Sequence, residues 1–225
     1  MLLLALDTSS PVVSVALVEV SGDGVDPVAG RDVHDARRPA DLLAPAVAAV
    51  LSAGGVRPRD LGAVAVGTGP GPFTALRAGV VTARALALAL GVPVAGVGSL
   101  DALAEAVRER VDRPLVVTDA RRRQVYWAAY DAGRRTAGPA VDRPDAVPVA
   151  GRPVVGRGAW LYPEVLGAPV DDVLDPPAGA VARLAAADLA AGRPGPVAPQ
   201  YLRRPDVREP TARKRVTAAG PRPVA

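Results

Sequence analysis

The sequence predicts a duplicated α/β fold, two lobes of mixed β-sheet with helices on their flanks. Apolar runs at Leu2–Leu6 and Val12–Val20 enclose a turn that opens with Asp7, and strand, Asp and returning strand recur at Leu115–Thr118, Asp119 and Gln124–Tyr130. The two aspartates lie 112 positions apart in a chain of 225, the spacing that duplication of one unit produces. Between the copies, strand-like and helix-like periodicities alternate.

The elements follow in order. Leu2–Leu6 and Val12–Val20 read as a β-hairpin, because short apolar or β-branched runs bracket the turn residues Asp7 to Pro11. A third strand is expected near Val28–Val33. Leu42, Leu43, Ala46, Val47, Val50 and Leu51 recur at helical spacing within Pro39–Ala53, where Pro45 imposes a bend unless the helix starts there. Leu61–Val66 reads as a buried strand, Phe73–Leu90 as a long helix ended by Gly91 and Pro93, Val92–Val97 as a strand and Leu100–Arg110 as a short helix. Beyond Asp131, Pro and Gly hide the elements except a strand at Pro153–Val155 and an Ala-rich helix at Ala178–Ala191. The expected division is a first lobe over 1–110, a second over 111–200 and a basic tail over 201–225.

Composition narrows the chemistry. The chain has no cysteine, which excludes disulfides, thiolate zinc sites and thiol nucleophiles. MLLLALDTSS reaches Asp7 after six apolar residues, too few for a leader peptide, and no apolar run approaches a membrane span, so a cytoplasmic protein is expected. The net charge is +4 and Lys214 is the only lysine, an arginine bias that a GC-rich genome produces by itself. Local excess remains at Arg121, Arg122 and Arg123 and at Arg203, Arg204, Arg208, Arg213, Lys214 and Arg215, which a solvated surface or a contact with RNA or an acidic partner would explain.

Four features are candidates for function. Asp7 and Asp119 each end a strand, where a carboxylate holds either a magnesium ion beside a nucleotide or the backbone N–H groups of its own turn. Neither turn has the glycine that a phosphate-binding turn needs. Gly67 to Pro72, GTGPGP, joins a strand to a helix as phosphate loops do, yet Pro70 and Pro72 lack N–H donors, so a tight helix entry is the favoured reading. The helix Phe73–Leu90 is apolar on nearly every side, with Ala75, Gly79 and Ala83 in a small-residue row. Either it is sandwiched inside its own fold, or, as favoured, it forms a subunit interface with the Pro39–Ala53 helix. Tyr126, Trp127 and Tyr130 on one strand offer a weak base-stacking platform. With His34 the only histidine, neither a histidine metal pair nor a Ser-His-Asp arrangement is expected, and no catalytic or metal-binding residue is assigned.

LALDTSSPVVSVAL, GTGPGPFTALRAGVVTARALALALGVPVAGVGSLDAL, DARRRQVYWAAY and PQYLRRP resemble, in order and over most of the chain, motifs of the TsaB family, the dimerisation subunits of the bacterial tRNA threonylcarbamoyladenosine machinery. PGPFTALRAG is the most specific. The resemblance implies a duplicated actin-like (ASKHA, ribonuclease H-like) fold and a non-catalytic subunit. It implies as partner the paralogous catalytic subunit TsaD, which binds the metal and modifies an adenosine in tRNAs that read ANN codons. The early helices would pack on TsaD or on a second TsaB, the TsaE ATPase would join, ADP or ATP would lie at the complex interface, and tRNA would be met indirectly.

The expected interface is therefore Leu42, Leu43, Ala46 and Val50 with Phe73, Ala75, Leu76, Gly79, Val80 and Ala83. The expected nucleotide or RNA contacts are Asp7, Asp119, Arg121, Arg122 and Arg123. An alternative is an ATPase or phosphotransferase of the same fold using Asp7 and Asp119. The sequence departs from the family pattern at Pro39, where a histidine is usual, at Ala75, in place of a second glycine, and at Gln124, in place of an acid.

Overall fold

A computed structural model describes residues 1–22, 24–34 and 39–203, without the side chains of Pro39 and Ala40. Strands β1 (Leu2–Asp7), β2 (Val12–Ser21) and β3 (Gly24–His34) form an antiparallel meander. Helix α1 (Pro39–Ala53) leads to β4 (Leu61–Gly67), and α2 (Phe73–Leu90) leads to β5 (Val94–Val97), giving a sheet of order β3-β2-β1-β4-β5 with β1, β4 and β5 parallel. After α3 (Ser99–Val107), β6 (Leu115–Asp119), β7 (Val125–Asp131) and β8 (Arg134–Asp142) repeat the meander, and β9 (Val154–Val155) lies parallel to β6 in the order β8-β7-β6-β9. The second sheet thus repeats the first four strand positions of the first. This is the duplicated actin-like, ribonuclease H-like α/β fold.

The alternation of β1 shows why its sequence is continuously apolar. Leu4 and Leu6 point into a core with α1 and α2, while Leu3 and Ala5 point into a core with α6 (Ala178–Ala190) on the opposite face. A strand covered on both sides has no polar face to show. Small residues at Ala63, Ala65, Ala182 and Ala185 let α6 sit close to the sheet. Ser14, buried on β2, accepts the Ala178 N–H at 2.9 Å and so caps α6 from across the sheet.

The helices exchange between lobes. α6 follows the second sheet in sequence but packs on the first, whereas Leu100, Leu103 and Val107 of α3 pack with Val116, Tyr126 and Tyr130 of the second. The division at residue 110 therefore separates the sheets, not the cores. β8 had no expected counterpart because it is an edge strand with little apolar alternation and Pro139 within it, a place where the missing N–H is tolerated. The short helices α4 (Arg157–Leu161) and α5 (Pro163–Leu166) are below the length at which periodicity can be read. α1 runs through Pro45, which stands exposed on its outer side. Among the described helices, α2 alone has the length and apolar composition to cross a membrane; here its inner side packs on β4, β1 and β5. In the basic tail, Arg204, Arg208, Arg213, Lys214 and Arg215 lie outside the described residues.

Candidate functional site

The two aspartates build matching turns. Ser9 N–H donates to Asp7 Oδ1 at 2.7 Å, and Arg121 N–H donates to Asp119 Oδ1 at 2.7 Å, each from the residue two positions on. Both carboxylates thus cap their own turns. Asp7 goes further, because Ser9 Oγ donates to Oδ1 at 2.6 Å and Ser99 Oγ, from the first residue of α3, donates to Oδ2 at 2.6 Å. The group is 1% exposed, and a Cβ on Gly67 would collide with Oδ2. Burial raises the Asp7 carboxyl above its ordinary value, against the lowering effect of the serine donors. A carboxylate enclosed in this way faces no cleft. Among the described residues no three His, Asp or Glu side chains converge on a position for a metal ion.

In the loop from Gly67 to Pro72, Thr68 and Gly69 turn their N–H donors inward, while Gly71 and Pro72 border the cleft at the arginine turn. Thr68 N–H donates to the Val97 carbonyl at 2.7 Å and Gly69 N–H to Ser99 Oγ at 3.0 Å, while Pro70 and Pro72 have none. Gly71 is glycine because a Cβ there would strike the Ser9 backbone. The loop is a packed entry to α2, pressed on the Asp7 turn.

α2 corrects the expected interface. Ala75, Leu76, Gly79, Val80, Ala83 and Ala87 form its inner face. Thr8 donates its hydroxyl to the Ala75 carbonyl at 2.7 Å and fills the space beside Gly79, so the small-residue row receives the β1 turn rather than a second subunit. Leu43, Ala46 and Val50 of α1 are likewise buried in the core shared with α2. Leu42 and Phe73 remain half-exposed. The cause is the phase of the helix: apolar residues occupy both faces, and periodicity alone cannot say which one meets the sheet.

The exposed face of α2 lies on the other side, on residues that the expected interface does not include. Val81 is 63% and Leu88 86% exposed, values that stand out for large aliphatic side chains on a helix. With Ala85 and Val92 they line a shallow apolar groove of about 630 Å³, bordered by Arg84. Ala44, Pro45 and Ala48 of α1 are exposed too. At the head of α2, Phe73 stacks on Tyr201 with ring centroids 4.7 Å apart, and Arg77 lies over the Tyr201 ring at 5.6 Å while its Nε–H donates to the hydroxyl at 2.8 Å.

The arginine turn forms a second feature. Arg121, Arg122 and Arg123 are exposed and all adopt the left-handed conformation, with φ of 62°, 52° and 59°. Such backbone is strained for residues bearing a Cβ. Arg121 and Arg122 line a cleft of about 350 Å³ between the lobes with Asp119, Tyr126, Phe73 and Arg203. Of the expected nucleotide or RNA contacts, the structure gathers Asp119, Arg121 and Arg122 here; Asp7 is sealed away and Arg123 does not line the cleft. The stacking platform is absent because Tyr126 and Tyr130 are buried in one core and Trp127 in the other, where its Nε1–H donates to Asp142 at 2.8 Å.

Comparison with known proteins places the chain. Residues 21–158 match the family model described as TsaD: tRNA N6-adenosine threonylcarbamoyltransferase. An uncharacterized protein of Mycobacterium tuberculosis is 44% identical over 206 residues, covering 91% of this chain and 93% of that one. The tRNA threonylcarbamoyladenosine biosynthesis protein TsaB of Escherichia coli is 36% identical over 132 residues, 58% of this chain and 55% of its own length. The solved structure of YeaZ from Pseudomonas aeruginosa covers 89% of this chain and 99% of its own, at 32% identity and a TM-score of 0.74. With the duplicated topology, the matched family model and the YeaZ structure in agreement, the chain belongs to the TsaB family.

Proposed function

We propose that this chain is a partner subunit in tRNA threonylcarbamoyladenosine biosynthesis, which binds and activates a TsaD-type transferase through the outer face of α1 and α2. The observation that carries the reading is the exposed apolar surface of Val81 and Leu88 on a helix whose other side is fully used by its own sheet. A side chain as large as leucine gains about 1.5–3 kcal/mol on full burial, so covering such a face drives association. The enclosed Asp7, and a GTGPGP loop in which Thr68 and Gly69 donate inward and Pro70 and Pro72 have no N–H, favour a scaffold over an ATPase or phosphotransferase built on Asp7 and Asp119.

Nucleotide, TsaE-type ATPase and tRNA enter this reading as ligands of the assembly. The arginine cleft at Arg121 and Arg122 is the surface on which ADP, ATP or an RNA phosphate would be met, and a homodimer through the same helices is the competing state of the free chain. Reconstitution of tRNA modification from the TsaD-type transferase, with and without this chain, is the test. Modification that depends on the chain supports the reading; equal activity without it overturns it. Calorimetry with ATP and magnesium on the isolated chain decides the phosphotransferase alternative, which requires binding.

A further inference from the structure

The net charge of the chain is concentrated beyond Arg203. The 22 residues that follow it carry six cations, Arg204, Arg208, Arg213, Lys214, Arg215 and Arg222, against Asp206 and Glu209. Their net +4 equals that of the whole chain, so residues 1–203 are neutral.

This charge leaves the fold at a cationic place. Arg203 Nη1 donates to the Ala120 carbonyl at 2.6 Å, which fixes Arg203 on the cleft between the lobes with Arg121 and Arg122. Among the residues lining that cleft Asp119 is the only acid, and it pairs with Arg121 at 3.5 Å. The Arg121 side of the pair is exposed, and such a pair is worth at most about 1 kcal/mol, so a phosphate can take the place of the carboxylate. The first turn of α2, which starts without a side-chain cap, borders the same cleft and adds the positive end of its dipole.

The make-up of the extension indicates what such a tract binds. A nucleoside triphosphate would be served by the cleft alone and would leave six further cations unused. A protein interface draws its energy from aromatic and large aliphatic anchors. Residues 204–225 contain no aromatic residue, leucine, isoleucine or methionine, and valine is their largest apolar side chain. What they supply is guanidinium, whose fork matches phosphate with two hydrogen bonds. Cations spread over up to about 70 Å of extended chain suit phosphates repeated along a strand. We infer that Arg121, Arg122 and Arg203, with the extension beyond them, form one track for the phosphate backbone of RNA, so that this chain touches tRNA directly without reading its sequence. The inference rests on the place in tRNA threonylcarbamoyladenosine biosynthesis assigned under Proposed function, and it names the ligand of the arginine cleft.

The test is fluorescence anisotropy of labelled tRNA with the full chain, alone and in complex with the TsaD-type transferase, at several salt concentrations. A quadruple variant, Arg208→Gln, Arg213→Gln, Lys214→Gln and Arg215→Gln, is expected to weaken tRNA binding by on the order of tenfold or more at low salt. The slope of log affinity against log salt should become shallower by about 2–3, since each phosphate contact contributes about 0.7–0.9. Arg121→Gln/Arg122→Gln is expected to weaken tRNA binding to the complex further. An unrelated single-stranded RNA should compete with tRNA, and magnesium-ATP should not. Unchanged tRNA affinity and salt slope in the quadruple variant, both alone and in complex, would overturn the inference. Loss of transferase binding in place of tRNA binding would also overturn it, by making the extension a protein contact. Competition by magnesium-ATP would overturn it too, by making the cleft a mononucleotide site. Chain-dependent modification by a quadruple variant with unchanged tRNA affinity would sink this inference and leave the partner assignment standing. Modification that proceeds equally without the wild-type chain overturns that assignment, while tRNA binding by the isolated chain still decides this one. Equal thermal melting verifies that the variants fold.

Discussion

Thr8 occupies the space that a side chain on Gly79 would need. The threonine hydroxyl, in the turn after β1, donates to the Ala75 carbonyl at 2.7 Å, and a Cβ on Gly79 would strike its Oγ1. The small-residue row of α2 is thus an intramolecular seat that fixes the helix against the end of the sheet.

Gly79→Ala should accordingly destabilise the chain, although alanine is the better helix former by about 1 kcal/mol. Thr8 has to rotate away from Ala75, leaving its own buried hydroxyl without that acceptor, which costs roughly 1–3 kcal/mol. Thr8→Ala should make Gly79→Ala nearly neutral or favourable. Urea denaturation of the two single variants and the double variant measures this coupling; simple additivity would refute the seat.

Asp7 should make stability depend on pH. Burial raises its folded-state pKa above the unfolded value. The folded chain therefore holds this proton more tightly, and the stabilisation is present below the ordinary carboxylate range and lost as pH rises through the raised value. Asp7→Asn removes this dependence. Relative to the variant, wild type should lose up to about 1.4 kcal/mol per pH unit across that window. Urea midpoints at several pH values check it, and a constant difference between the two proteins would count against a raised Asp7.

The arginine turn should be improvable. Arg123 is exposed, left-handed at φ 59°, and does not line the cleft. Arg123→Gly trades about 1–2 kcal/mol of backbone strain against about 0.5–1 kcal/mol of chain entropy, so a small gain in stability is expected from thermal melting. Partner binding should not change.

Arg121 should act only in the assembly. If the cleft meets a nucleotide or RNA phosphate there, Arg121→Glu weakens that ligand's binding to the transferase complex and flattens its salt dependence. Titration of ADP and of tRNA into the complex separates the two ligands.

Much of the fold was legible because it repeats. Asp7 and Asp119 mark the two copies, and the strands around them are short, apolar and bounded by turn residues. The exchange of α3 and α6 between sheets was not legible, since the periodicity of an Ala-rich helix says that it is covered but not by what. The site was legible only as a helix. α2 is apolar on both faces, so the sequence offers Ala75, Gly79 and Ala83 to a partner although Thr8 and the sheet fill that side, and nothing in it marks Val81 and Leu88 as outward. The tyrosine that fastens Arg77 lies 124 positions away, beyond any local pattern.

We propose that the transferase docks on the outer face of α2. Calorimetric titration of the TsaD-type transferase into wild-type chain and into Leu88→Asp tests it most directly. The predicted result is a one-to-one complex with wild type and none with the variant, at equal thermal stability, since exposed substitutions usually change folding by no more than about 0.5 kcal/mol. Equal affinity for both proteins would contradict it.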